Sequence, residues 1–126
     1  MPYRNIRLHP LLKYLGSVTP DNSETVKFLV SIYFEECKRY LGLMQNFSNQ
    51  DKWNDILLLS HNLIFIADLI NREGLSQKII TLNDEIKISG PYETKFSLVC
   101  QISSIIEEEN KKIEMSLINM CRQNDN

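Results

Sequence analysis

His61 stands in the run Leu57-Leu58-Leu59-Ser60-His61-Asn62-Leu63-Ile64-Phe65, an imidazole among apolar side chains, the residue type that serves as nucleophile or proton carrier near neutral pH. A metal site lacks its ligands. His9 is the other histidine, no carboxylate or cysteine lies three or four residues from His61, and Asp68 is too far along to pair with it at a metal. Cys37, Cys100 and Cys121 are widely separated and form no C-x-x-C pair, so they read as buried, reduced thiols of a cytoplasmic protein rather than as disulfides or zinc ligands. There is no G-x-S-x-G, Gly-rich phosphate loop or H-E-x-x-H, so hydrolase and nucleotide chemistry lack their parts and no cofactor is expected. Glu35-Glu36 and Glu107-Glu108-Glu109 read as solvated helix faces, and Trp53 and the tyrosines as core and boundary packing.

The elements that would hold His61 are helices almost throughout. Val26, Leu29 or Val30, Tyr33, Cys37, Tyr40 and Met44 step by three and four, predicting a helix over about 22–46 with Asp21 to Glu24 as a capping box. A second long helix is expected from Trp53 to about Asn71, with no Gly or Pro inside it. After a break at Gly74, Leu75, Ile79, Leu82 and Ile86 mark a shorter third helix, stopped by Ser89-Gly90-Pro91. From Glu93 onward Val99, Ile102, Ile106, Ile113, Leu117 and Met120 mark the longest, interrupted by the polar stretch from Glu107 to Lys112. Leu8 to Leu15 reads as a short leading helix with Pro10 in its first turn and Gly16 at its close. With no strand-like alternation and short connections, the expected fold is all-α, an antiparallel four-helix bundle with a short N-terminal helix. The 126 residues form one domain, with 1–17 an N-terminal extension and 18–122 the bundle.

Composition narrows the partners. A net charge of -2 offers no basic field for nucleic acid or an anionic membrane surface. No apolar stretch approaches the roughly 20 residues of a membrane span, and the N-terminus has no apolar leader core, so the expected location is the cytoplasm.

Within the second long helix, steps of about 100 degrees per residue gather Ile56, Leu59, Leu63, Ile66, Ala67 and Ile70 on one face, the expected core face. The opposite face is centred on His61 and holds Asn54, Leu57, Leu58, Ile64, Phe65, Asp68 and Arg72, so an apolar collar surrounds a histidine where solvent is expected. Such a helix is either buried all round or carries a partner-binding patch.

Over roughly residues 18–120 the chain resembles the histidine-containing phosphotransfer (HPt) domain. Phe34-Glu35-Glu36 and Ser60-His61-Asn62-Leu63, together with Ala67, Ile70, Leu75 and Leu82, follow that family's pattern of a small residue, the phosphorylated histidine, any residue and a leucine, continued by a spaced apolar series. The resemblance implies a phosphorelay role. A receiver domain's phospho-aspartate, held with the receiver's divalent cation, would be attacked in line by an imidazole nitrogen of His61, and the phosphoryl group later passed to another receiver aspartate. The implied partners are a response-regulator receiver and a hybrid sensor kinase. Leu57 and Leu58 would give docking area worth about 1.5 to 3 kcal/mol each if fully buried.

The family's Lys and Gly after His-x-Leu are Ile64 and Phe65 here, and a later Gly is Asn71. Long side chains on a helix lean toward its N-terminus, so Ile64 and Phe65 are expected to lie partly over the imidazole, where the Gly would leave room for a phosphoryl group. The missing Lys removes a cation that Arg72 or Lys38 would have to replace. Two further readings stand beside the carrier: a non-catalytic interaction or adaptor module on the same scaffold, and an unrelated helical-bundle chaperone, each using the apolar face around His61. That face also makes a homodimer plausible in every case.

Overall fold

The computed structural model describes residues 9–18, 23–70 and 73–124. These form six helices, α1 (Pro10–Val18), α2 (Ser23–Asn49), α3 (Trp53–Leu57), α4 (Ser60–Leu69), α5 (Glu73–Lys87) and α6 (Tyr92–Asn124), with no strand among the described residues. The all-α expectation is met. α5 packs on α6 and α4, α2 on α6 and α3, and α1 on α2 and α6, so every helix borders one shared core.

The apolar series place that core. Val26, Val30, Tyr33, Cys37 and Met44 face inward from α2, and Leu75, Ile79, Leu82 and Ile86 from α5. From α6 the inward residues are Val99, Ile102, Ile106, Ile113 and Met120. α6 runs unbroken through the polar stretch that the spacing read as an interruption. α1 likewise continues past Gly16 to Val18 and sets Leu11, Leu12 and Leu15 in the same core. The expected capping box begins at Asp21, outside the described residues.

The second predicted helix divides in two. Between α3 and α4 the backbone stays right-handed at Leu58 (φ -68, ψ -22) and Leu59 (φ -86, ψ -13), but Leu58 N–H donates to Asp55 O and Leu59 N–H to Ile56 O. These three-residue bonds tighten the turn, and such a turn puts residues three apart in register. Ile56 and Leu59 thereby both reach the core, and Leu58 is thrown outward with 76% of its surface exposed.

Two helix ends share a left-handed closing residue that is not glycine. Asp51 (φ 58) follows α2, where Lys52 N–H reaches back to Phe47 O, and Ser89 (φ 55) follows α5, where Gly90 N–H reaches Glu85 O. Gly90 comes so close to Glu85 that a β-carbon would crowd it, so the glycine serves close approach and Ser89 takes the left-handed position. Asp51 is held there by use, since its carboxylate accepts the Trp53 indole N–H. Trp53 in turn is capped by the Lys95 ammonium, 4.7 Å from its ring centre, and by the edge of Tyr92. Ser89→Gly is therefore expected to stabilise the fold by about 0.5 to 1 kcal/mol, the left-handed penalty less the added chain entropy, read as a higher Tm. Asp51→Gly is expected to gain nothing, because it loses the indole bond.

Candidate functional site

α4 presents its two faces as the spacing predicts. Leu63, Ile66, Ala67 and Ile70 are buried with Ile56 and Leu59 before them, and His61, Phe65 and Asp68 are exposed. Ser60 Oγ donates to Asn83 Oδ1 at 2.7 Å and ties the first turn of α4 to α5. The apolar collar is less uniform than expected. Leu58 and Phe65 are 76% and 60% exposed, whereas Leu57 and Ile64 are half-buried and pack on the core. Ile64 thus belongs to the packing on the core, and Phe65 projects into solvent and leaves the imidazole exposed rather than sealed. Arg72 lies outside the described residues.

The cation expected to replace the family lysine is not supplied by Lys38. That residue lines a recess between α2 and α6 with Ser103, Glu107 and Asn110, on another side of α2 from α4. Arg39 is differently placed. Its guanidinium donates to Glu36 Oε2 at 3.3 Å and to the Tyr40 hydroxyl at 3.1 Å, and Glu36 and Tyr40 line a groove together with Asn62 and Phe65 of α4.

This groove, of about 340 Å³, lies between α1, α2 and α4. Leu11 and Leu15 line it from α1, Leu29, Ile32 and Tyr33 from α2, and Phe65, Ile66 and Leu69 from α4. Its polar groups are gathered around Glu36, Tyr40 and Asn62. The sequence reading placed the binding surface on one helix. The groove was missed because three segments remote in sequence make it, and the sign of it in the sequence was Ile32, an apolar residue outside the core stripe of α2.

Behind the groove lies a buried polar layer. His9 Nδ1 accepts the Leu11 N–H and caps α1, which leaves the ring proton on Nε2, the nitrogen that meets Glu109 Oε2 at 2.8 Å. The backbone N–H of His9 donates to Ser116 Oγ, and Lys112 Nζ reaches Glu109 Oε1 at 3.3 Å. Glu109 is therefore 5% exposed and not part of a solvated face as the acidic run suggested. Next to this pair Tyr33 donates to Asn110 Oδ1 at 2.7 Å.

Burial pushes the Tyr33 hydroxyl well above its ordinary 10.0 and raises the Cys37 thiol from its ordinary 9.0. Both groups hold their protons more tightly folded than unfolded. Their contribution is complete below the unfolded values and is lost as pH rises toward the folded ones, so stability is expected to fall progressively above about pH 9. Urea titrations at pH 8 and 10 check this, and Tyr33→Phe should flatten the loss. Cys100, by contrast, is exposed and corrects the reading of the cysteines as all buried.

Among the described residues no group of three or more His, Cys, Asp or Glu could hold a metal ion, and no helix is long and apolar enough to cross a membrane. Compared with family models, curated proteins and solved structures, the chain matches none.

Proposed function

We propose that the chain is a cytoplasmic phosphorelay carrier of the histidine phosphotransfer kind, with His61 as the phosphoryl-accepting residue and α2, α3–α4, α5 and α6 as the members of an antiparallel four-helix bundle. The observation that carries this reading is the exposure of His61 on the outward face of a helix whose other face is wholly in the core. A lone pair of the His61 ring attacks the phosphorus of a receiver's phospho-aspartate. The nitrogen–phosphorus bond forms as the acyl oxygen–phosphorus bond breaks, and the carboxylate leaves on the receiver. Attack in line needs an unobstructed ring and an apolar surface that seats the partner beside it. Leu58 and Phe65 offer that surface. Arg39, held by Glu36 and Tyr40, is a cation on this side of α2 and takes the part of the family's lysine toward the bound receiver.

A second reading, a non-catalytic adaptor on the same scaffold, is favoured by Phe65 standing 60% exposed where the family has glycine. Transfer of label from a phosphorylated receiver to the wild type separates the two. The carrier takes up label and the adaptor binds without it. In the adaptor, Phe65→Ala is expected to weaken receiver binding roughly tenfold or more, while His61→Gln leaves affinity unchanged.

A further inference from the structure

We infer that the groove between α1, α2 and α4 is a binding site for a small cationic amphiphile, a single alkyl chain that ends in a primary ammonium. Its volume of about 340 Å³ lies at the small end of the range for small-molecule sites. A protein partner finds too little to cover. Among the described lining residues the large, exposed apolar side chains are Ile32 and Phe65, at 45% and 60%, far short of the roughly 800 Å² a side of a stable interface.

The groove has an apolar length and one polar end. α3 and α4 turn back along α2 after a short connection, so Leu69 lies toward Leu29 and Asn62 toward Tyr40. From Leu29 to Tyr40, positions 29 to 40 of α2, the wall runs about 16 Å at about 1.5 Å per residue. Carbon–carbon bonds of about 1.5 Å advance an extended chain by about 1.25 Å each, so about 12 carbons fill that length.

At the polar end Glu36, Tyr40 and Asn62 each bring an oxygen. Arg39 donates to Glu36 Oε2 and to the Tyr40 hydroxyl. Glu36 Oε1, the second lone pair of that hydroxyl and the Asn62 amide oxygen have no partner among the described residues. Three acceptors match the three donors of a primary ammonium. Charge selects the same head. Glu36 is the charged residue among the described lining residues, and the exposed, unpaired Glu35 and Asp68 stand on the same face, so a carboxylate head is repelled where an ammonium is attracted. The site does not depend on the phosphotransfer reading, since His61 is not among its lining residues.

Titration calorimetry of the full chain with dodecylamine, near pH 7 and below its micellar concentration, tests the site. A primary amine carries its proton at that pH. One molecule is expected to bind per chain, with dodecanoate about tenfold weaker or more. Decylamine, two methylenes shorter, is expected to bind roughly tenfold more weakly than dodecylamine. Glu36→Gln should weaken the amine about tenfold or more, whereas Arg39→Gln, which frees the carboxylate, should tighten it. Ile32→Trp, which fills the groove from an exposed position, should abolish binding, and Ile88→Ala on the far end of α5 should leave it unchanged. Circular dichroism establishes that each variant is folded. The methyl resonances of Leu29, Ile32 and Leu69 should shift with the bound amine. No saturable binding, or dodecanoate binding as tightly as the amine, overturns the proposal. So does a folded Glu36→Gln with wild-type affinity for the amine, or shifts that fall outside the groove. Vesicles of an aminophospholipid that bind the chain while the free amine does not would overturn it as well.

Discussion

His9→Ala should destabilise the fold by about 3 kcal/mol, the sum of two losses at one residue. The first is the cap on α1, because Nδ1 no longer accepts the Leu11 N–H, a loss of about 1 kcal/mol. The second is larger. Glu109, with 6% of its side chain exposed, loses its 2.8 Å partner, and the Lys112 ammonium at 3.3 Å, itself half in water, is a weaker substitute. Leaving a buried carboxylate short of a partner costs about 2 kcal/mol. In a chain of this size the two together lower the Tm by roughly 10 °C. A double-mutant cycle separates the pair from the packing. His9→Leu with Glu109→Leu is expected to recover much of the stability of the single His9 variant, since no lone carboxylate remains. A Tm unchanged in His9→Ala would show that the buried layer does not hold α1 to α6.

His61→Gln is expected to do the opposite, removing all phosphoryl transfer while leaving the fold intact. The side chain is exposed and has no hydrogen-bond partner among those described, so its replacement should move stability by less than about 0.5 kcal/mol. On the proposed reading the other histidine is no substitute. His9 is buried with both ring nitrogens engaged, so it cannot take over. Measured with a receiver that labels the wild type, the variant should show no label above background, with an unchanged urea midpoint. Label persisting in the variant would move the phosphoryl site elsewhere.

The sequence exposed the helices and their phases far better than their meeting points. Ile56, Leu59, Leu63, Ile66, Ala67 and Ile70 were readable as the core face because burial imposes a period that local spacing records. The break at Leu58 was not readable. No Gly or Pro marks it, and it arises where the register of Ile56 and Leu59 against the core favours a tighter turn. His61 and Phe65 could be placed on an outward face, but Ile64 and Leu57 were assigned to the same collar because a helical wheel does not say how far a neighbouring helix reaches around the side. Lys38 failed for the same reason. It lies on α2 as expected but faces α6, a matter of azimuth between two helices. The deepest omission was Glu109. It sits in an acidic run that looks solvated, and a histidine 100 positions earlier is what draws it inside.

The most direct test of the account is a phosphorus NMR spectrum of the wild type after incubation with a phosphorylated receiver and removal of that receiver. A phosphorus–nitrogen resonance that survives alkali, disappears in acid and is missing from His61→Gln is the predicted result. A folded protein that binds the receiver yet shows no such resonance would contradict the carrier and leave the apolar face around Phe65 as the functional surface.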